Sequence, residues 1–272
     1  MHFRFTLLVL MCLPLAVLQG VQVPVLQQHL QNADSPFSYP LNMTIYPSKE
    51  PDAGVTVCFH GHGGNYQTGE ILAQNIRENV VSFDFSEYGS IRELLPAIYV
   101  VKQCLEAGNL QSINLYGFSA GGGALINMLA VLNRHDYDQD LAQIGIHEKE
   151  KQRILQAVQN GYVILDCPLK SVEEIIAQRG NNPQMRAFAE MYASNRLRPI
   201  DSLKDLKGLT LKVLINFQNP DEAVTNRDDA LYVERMRTVN LQGKTVVVIS
   251  RDAGHVSYHP ALWEAYRSLK MH

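Results

Sequence analysis

The stretch that decides the fold is Ser112-Ile-Asn-Leu-Tyr-Gly-Phe-Ser-Ala-Gly-Gly-Gly-Ala-Leu-Ile-Asn-Met-Leu-Ala130. Its first half has the apolar pattern of a buried strand and its second half has helical spacing, with Gly117-Phe-Ser119-Ala-Gly121 at the junction. A serine on a sharp strand-to-helix turn leaves no room for neighbouring side chains, and glycine on both sides lets other backbone come close. Gly-x-Ser-x-Gly alone occurs by chance, but between a strand and a helix it predicts Ser119 as an exposed nucleophile.

Length and composition indicate one α/β domain. The chain has 272 residues, 46% of them hydrophobic, which supports a well-buried core. The formal net charge is −3, and no basic cluster stands out, so nucleic acid is not an expected partner. Cys58, Cys104 and Cys167 remain outside the N-terminal segment; an odd number is no disulfide framework, and we expect buried thiols with at most one bridge.

Residues 1–20 differ from the rest of the chain. His2 and Arg4 precede an apolar run of about fourteen residues, which is too short to span a bilayer comfortably and contains Pro14. This pattern is typical of a secretory signal peptide and predicts a secreted or periplasmic, envelope-associated protein. Because Leu18 fits a cleavage site poorly, an uncleaved anchor that would hold the protein near a membrane remains an alternative.

Strand and helix patterns alternate along residues 21–272, after an irregular lead-in predicted for residues 21–40. The order predicts a doubly wound, mostly parallel sheet with its functional groups at the carboxyl ends of the strands. Besides the strand before Ser119, predicted strands cover 41–46, 54–59, 80–85, 161–166, 211–217 and 244–250, and predicted helices cover 68–79, 90–107, the one after Ser119, 147–159, 226–239 and 260–269.

Two segments are predicted to be helical insertions between core strands, at about 134–160 and 167–210. The first is charged and contains the amphipathic helix 147–159. The second contains helical patterns at 171–178 and 183–195 with no strand between them. An all-helical segment in that place predicts a lid over the site.

Four motifs together resemble the α/β-hydrolase family over residues 41–272. They are Tyr-Gly-Phe-Ser119-Ala-Gly-Gly, His60-Gly-His-Gly-Gly after a buried strand, Asn219-Pro-Asp221-Glu-Ala-Val after another strand, and Ala-Gly-His255-Val near the end. The order Ser119, Asp221, His255 along the chain is the one that this fold requires.

The base and the acid are predicted from position. Ser119 needs a base to take its proton, and His255 follows the last strand at the active edge of the sheet, with His259 as the rival. The imidazole in turn needs a carboxylate. We expect Asp221 in that role because it directly follows a strand.

Two other acids remain open alternatives to Asp221. Glu222 is its neighbour in the sequence, and Asp166 follows the preceding strand, where some members of the family place their acid.

The oxyanion hole is expected to combine the backbone amide of Ala120 with that of His62 or Gly63, as the resemblance implies. A metal held by His60 and His62 is the alternative, but no third ligand lies nearby in the sequence and the glycines suit a backbone donor better. No metal and no cofactor are therefore expected.

The sequence predicts a serine hydrolase that cleaves an ester or a related acyl bond through an acyl-enzyme on Ser119. The expected partner is a small-molecule or lipid-like acyl substrate. A peptidase or an acyltransferase would use the same three residues, because specificity depends on the shape of the pocket and lid. A catalytically inactive binding module on this fold is the alternative from another class.

Overall fold

A computed structural model describes residues 23–32, 35–50, 53–85, 90–171, 183, 197–219, 221, 228–251, 254–255 and 258–271. These residues form a sheet with the strand order β1-β3-β2-β4-β5-β6-β7. β1 pairs with β3 in antiparallel fashion, and every other pair is parallel. The strands are β1 (Met43–Tyr46), β2 (Val55–Phe59), β3 (Asn79–Phe83), β4 (Asn114–Phe118), β5 (Val163–Asp166), β6 (Lys212–Asn219) and β7 (Lys244–Arg251).

Helices connect the strands, as a parallel sheet requires. In the part of the chain that is described, they are α1 (Val23–Asn32), α2 (Thr68–Asn75), α3 (Ile91–Ala107), α4 (Ala120–Leu132), α5 (Asp138–Ala142), α6 (Glu148–Asn160), α7 (Pro199–Ser202), α8 (Asp229–Val239) and α9 (Pro260–Lys270), with a 3₁₀ turn at Leu203–Leu206. The predicted α/β class and the mostly parallel sheet are thus confirmed.

The central strands are aligned so that their carboxyl ends meet at one edge. Phe118 lies opposite Asp166, and Asp166 lies opposite Asn216. All residues of β2, β3 and β5 are buried, and most of them are apolar, as is usual for parallel strands that are covered on both faces. Residues just past these strand ends are therefore brought together, whatever their distance in the chain.

Helix α4 is buried along its whole length. A helix that is apolar on all sides belongs inside the core. Small residues near its start allow this: a Cβ on Gly122 would lie 2.9 Å from Pro168, and one on Gly123 would lie 2.8 Å from the Leu169 carbonyl oxygen. The run of glycines thus lets the chain after β5 pack directly against the helix that follows Ser119.

The irregular lead-in predicted for residues 21–40 is wrong for its first half, where α1 forms. Leu26 and Leu30 are both buried and lie four residues apart, so they share the helix face that packs on α3. His29 Nε2 also lies 2.9 Å from Gln103 Oε1 of α3. With so few apolar residues, the helical period is too weak to read without the surface that covers it.

The two predicted insertions are described to different extents. Residues 134–160 contain α5 and α6, and α6 buries Ile154, Leu155 and Val158 on one face. Of residues 167–210, the structure describes 167–171, 183 and 197–210, which contain α7 and the 3₁₀ turn. The helical patterns at 171–178 and 183–195 otherwise lie outside the described residues.

Cys58, Cys104 and Cys167 are buried free thiols, in agreement with the expectation from the sequence. Burial raises the pKa of each thiol. Among the described residues, no helix combines the length and apolar character needed to cross a bilayer.

Candidate active site

Ser119 occupies the single position between β4 and α4. Its backbone has φ 51° and ψ −119°, a conformation that L-residues rarely adopt and that costs about 1–3 kcal/mol. The turn is held in place by backbone hydrogen bonds: the Ser119 amide donates to the Asp166 carbonyl (2.9 Å), and the Gly122 amide donates to the Ser119 carbonyl (3.0 Å). Ser119 therefore lies on a strained turn between a strand and a helix.

Both flanking glycines are required by close backbone contacts. A Cβ on Gly121 would lie 2.2 Å from the Phe59 carbonyl oxygen, and one on Gly117 would lie 2.7 Å from the Gly122 Cα. Real Cβ atoms do not approach other atoms so closely, so any larger residue would force the start of α4 away from β2. The glycines thus let the serine turn sit tightly on the sheet.

Ser119, His255 and Asp221 form one hydrogen-bonded chain. His255 Nε2 lies 3.0 Å from Ser119 Oγ, and His255 Nδ1 lies 3.0 Å from Asp221 Oδ2. A carboxylate only accepts, so Nδ1 carries the proton and Nε2 is left to accept the serine hydroxyl. The side chains of His255 and Asp221 are 16% and 5% exposed, which shields their contact from water. This is the geometry of a serine activated by a general base.

Two loops bring these partners to the serine. Asp221 follows β6, and His255 lies between β7 and α9, directly after Gly254, which has φ +63°. The rival base, His259, is instead the N-cap of α9, where its Nδ1 accepts the Ala261 amide (3.3 Å). The histidine in contact with the serine is therefore His255.

The two rival acids fare differently. Glu222 lies outside the described residues. Asp166 is fully buried, and its carboxylate accepts hydrogen bonds from the Tyr116 hydroxyl (2.8 Å), the Asn216 side-chain amide (2.8 Å) and the Tyr258 backbone amide (3.0 Å). The carboxylate that bonds to His255 is Asp221.

The glycine-rich loop after β2 passes directly beside the serine. A Cβ on Gly61 would lie 2.8 Å from the Phe118 ring and 3.3 Å from Ser119 Cβ. The Gly64 amide donates to the Gly61 carbonyl (2.9 Å), which closes a tight turn in which Gly63 has φ +74°. The predicted backbone donors, His62 and Gly63, are thus the two central residues of a turn next to Ser119.

Asp84 holds this loop from the end of β3. Its carboxylate accepts the Tyr66 amide (2.7 Å) and the Asn42 side-chain amide (3.0 Å). The neighbouring Phe85 packs its ring 4.6 Å from the His60 ring. Both residues therefore support the loop after β2.

Three side chains at the site have atoms of the kind that could together ligate a metal. Cys167, Asp221 and His255 each place a ligand atom within 4.8 Å of the others. The void beside Cys167 and Asp221 has no room for a sphere the size of water, and burial together with the charges of Asp166 and Asp221 raises the pKa of the Cys167 thiol. A protonated thiol in a filled space is a poor metal ligand.

His60 and His62 belong to no group of three potential metal ligands within the described ranges. The other such group there is His135, Asp138 and Glu148. It is exposed and already pairs with the Lys151 ammonium, which occupies the place of a cation.

Two residues at the site escaped sequence reasoning. Phe118 packs its ring 5.0 Å from that of His255, and Tyr258 binds Asp166 through its amide. The position of Phe118 directly before Ser119 was the available signal. Tyr258 gave none, because its role depends on a backbone group with φ +68°.

No protein-family model and no curated protein sequence matches the chain. Solved structures do match its fold. A thermophilic esterase of Thermogutta terrifontis with bound butyrate has a TM-score of 0.57 at 16% identity, over 94% of this chain and 95% of that one. A lipase/esterase of Lactobacillus plantarum gives 0.58 at 17%, over 88% and 95%, and Est1E of Butyrivibrio proteoclasticus with ferulic acid gives 0.54 at 17%, over 85% and 94%.

These neighbours are esterases and lipases, and their alignments span most of each chain. At such identities the likeness shows a shared fold. It agrees with the fold that the predicted resemblance to the α/β-hydrolase family implies.

Proposed function

We propose that the protein is a serine hydrolase that cleaves an ester or a related acyl bond. The observation that carries the proposal is the chain of two 3.0 Å hydrogen bonds from Ser119 through His255 to Asp221, at a strained turn between a strand and a helix. A structural role would need neither the strain nor a partly exposed serine.

The three side chains divide the chemistry between them. His255 Nε2 takes the hydroxyl proton as Ser119 Oγ attacks the acyl carbon, and the imidazolium then gives that proton to the leaving alcohol. Water, activated by the same nitrogen, cleaves the acyl-enzyme and restores Ser119. Asp221 accepts from Nδ1 throughout, which keeps the tautomer and stabilises the imidazolium.

The negative charge on the acyl oxygen needs donors. Under the proposal, the Ala120 amide at the start of α4 supplies one, assisted by the helix dipole. The amide of His62 or Gly63 in the adjacent turn supplies the other. Because these are backbone groups, their removal is best tested by changes of loop conformation, such as Gly63→Ala at φ +74°.

Esters are the favoured substrates because the structural neighbours are esterases. The Thermogutta terrifontis enzyme was solved with butyrate and also phosphonylated by sarin, and Est1E was solved with ferulic acid. No cofactor enters the proposed reaction. A peptidase or acyltransferase reaction on the same three residues is the alternative.

The decisive experiment combines a fluorophosphonate probe with p-nitrophenyl esters of graded chain length. Wild type should be labelled and should hydrolyse at least one ester, and Ser119→Ala should lose both activities. Ser112→Ala is a matched serine control that should retain both. A folded wild type that neither reacts with the probe nor cleaves any ester would favour the binding module.

A lid over the site is a further part of the proposal. The described residues on either side of 172–196 contact α4 or the serine before it: the Leu169 amide donates to the Ser119 carbonyl (2.9 Å), and the Asn127 side-chain amide donates to the Leu197 carbonyl (2.9 Å). Leu169 and Leu197, which flank the segment, therefore lie beside Ser119 and the helix that follows it. Replacing residues 172–196 by a short Gly/Ser linker should alter the preference for long acyl chains more than hydrolysis of p-nitrophenyl acetate; equal loss on both would contradict a lid.

Secretion through residues 1–20, to the medium or to the cell envelope, completes the proposal. The support is the sequence pattern alone. The mature N-terminus, read by mass spectrometry from the secreted or envelope fraction, tests it. An intact N-terminus in a membrane pellet would instead favour an anchor near the bilayer.

A further inference from the structure

Asp166 accepts hydrogen bonds from two backbone amides, that of Ser119 and that of Tyr258, which lies three residues after His255. Its backbone carbonyl accepts the Ser119 amide at 2.9 Å, which holds the nucleophile turn. Its side-chain Oδ2 accepts the Tyr258 amide at 3.0 Å, which holds the loop between β7 and α9. One residue at the end of β5 thus contacts the backbone on either side of the reacting pair.

We propose that Asp166 is a positioning residue for His255, acting through the hydrogen bond from the Tyr258 amide to its buried carboxylate. The inference rests on the proposed function and adds a residue that the Ser119–His255–Asp221 chain does not contain. Asp166 acts on the loop backbone and touches neither the imidazole nor the substrate.

The hydrogen bond from the Tyr258 amide to Asp166, called the Tyr258 anchor below, restricts where His255 can lie. The two residues are three apart, so the chain between them reaches at most about 11 Å. Tyr258 is fixed at three points: its amide on Asp166, its hydroxyl on the Thr68 carbonyl (2.8 Å), and its ring stacked 5.6 Å from that of Tyr116. Of the three contacts, the hydrogen bond from the amide acts on the backbone itself, at a φ of +68° that a tyrosine rarely adopts.

The same carboxylate is tied to the strand that leads to Asp221. Asn216 of β6 donates to Oδ1 (2.8 Å), and Ser250 of β7 donates to the Asn216 side-chain oxygen (2.7 Å). The four neighbouring strands β4, β5, β6 and β7 therefore share one polar network. It runs from Tyr116 through Asp166 and Asn216 to Ser250. Buried networks in which every member is satisfied fix a single arrangement.

The network predicts which substitution preserves the anchor. In Asp166→Asn, the oxygen can remain at the Oδ2 position and accept from Tyr116 and Tyr258. The new amide nitrogen then faces Asn216, whose side chain can turn over to accept it and donate to Ser250. In Asp166→Ala, the Tyr258 amide loses its acceptor, and the loop is free to move.

The experiment compares kcat, KM and Tyr258 amide exchange in wild type, Asp166→Ala and Asp166→Asn. Displacing a catalytic side chain by about 1 Å can lower the reaction rate by about 100-fold. We expect that loss in kcat for Asp166→Ala with KM near the wild-type value, recovery of most of it in Asp166→Asn, and loss of Tyr258 amide protection in the alanine variant only. Glu78→Ala, which removes a buried carboxylate at the far edge of the sheet, should lose stability and retain kcat.

The outcomes separate the inference from the proposed function. A wild type without hydrolytic activity would sink the proposed function, while Tyr258 exchange and the His255 ring signals in NMR spectra would still report the anchor. A folded Asp166→Ala protein with wild-type kcat or unchanged Tyr258 protection overturns the inference, as does an asparagine variant no better than alanine. If the alanine variant does not fold, Asp166→Ser, whose hydroxyl is one bond shorter, replaces it with the same expected results.

Discussion

Two buried carboxylates lie at opposite edges of the sheet, and their partners differ. Glu78 precedes β3 at the amino edge, and Asp166 ends β5 at the carboxyl edge; both are 1% exposed or less. Burying a carboxylate is costly unless its oxygens are satisfied, so each must be compensated. The groups that compensate each carboxylate differ, and they indicate a different role for each edge of the sheet.

Glu78 is neutralised by a cation. Lys270 donates to it, and so do the Tyr266 hydroxyl (2.6 Å), the Asn114 amide (2.8 Å) and the Thr56 hydroxyl. Burial alone would raise the pKa of Glu78, but the Lys270 charge and these hydrogen bonds outweigh it and hold the pKa below its usual value. This edge fastens the last helix, α9, to the sheet.

Asp166 has hydrogen bonds but no salt bridge to any described residue. Burial therefore prevails and raises its pKa, although bonds from Asn216, the Tyr258 amide and Tyr116 oppose the rise. Its donors come from the strands and the loop that carry the site. The amino edge therefore stabilises the fold, whereas at the carboxyl edge the burial of Asp166 is unfavourable and its hydrogen bonds position residues of the site.

The largest effect should come from Asp221→Asn at the carboxyl edge. The amide would favour the wrong imidazole tautomer, so we expect kcat to fall by about 10³ to 10⁴ with little change in KM. Steady-state kinetics on the best ester measures this. Glu78→Gln should leave kcat near that of the wild type; a comparable loss there would erase the distinction between the two edges.

Replacing one glycine at each edge of the sheet by alanine tests the same difference between the two edges. Gly121→Ala would bring a Cβ within 2.2 Å of the Phe59 carbonyl, and we expect a loss of about 3 kcal/mol together with lower kcat. At the amino edge, a Cβ on Gly54 would meet only Glu78, at 3.9 Å. Gly54→Ala should change stability by less than about 0.5 kcal/mol. Denaturant unfolding of both variants measures the difference, and equal losses would contradict it.

Most of the site's residues were predictable because their signals are local. The turn chemistry at Ser119 and the positions of Asp221 and His255 in the segments that follow two strands predict where they meet, since parallel strands end at one edge. The choice among Asp221, Glu222 and Asp166 stayed open, because it depends on where loops travel after the strands end.

Contacts that depend on backbone conformation could not be predicted. The Tyr258 amide reaches Asp166 across 92 residues, and no residue type encodes it. Helix α1 was missed for a related reason: Leu26 and Leu30 form too short an apolar stripe, and its stability comes from α3.

A smaller effect is expected for stability in Glu78→Gln. The substitution removes the charge that Lys270 pairs with, and the neutral amide also disturbs the bonds from Tyr266 and Thr56. Because the Lys270 side chain is 43% exposed, the loss should be moderate, about 1–3 kcal/mol. Urea unfolding at neutral pH measures it, and an unchanged midpoint would show that the ion pair contributes nothing.

The smallest and most specific prediction concerns the pH dependence of stability. The pKa of Glu78 is lowered in the folded protein, so its contribution is present above the unfolded pKa and is lost as pH falls through the folded pKa. The pKa of Asp166 is raised, so its contribution is present at low pH and is lost as pH rises through the folded pKa. Each group can change stability by at most about 1.4 kcal/mol per pH unit.

Unfolding free energies of wild type, Glu78→Gln and Asp166→Asn, measured across the acid range to neutrality, isolate the two groups because other titrations cancel in the differences. As pH falls, wild type should lose its advantage over Glu78→Gln and gain relative to Asp166→Asn. Slopes of the same sign would mean that the two carboxylates are stabilised in the same way. Opposite slopes would show that the charge of Glu78 stabilises the protein at the amino edge of the sheet. They would also show that the charge of Asp166, at the carboxyl edge beside Ser119, destabilises it.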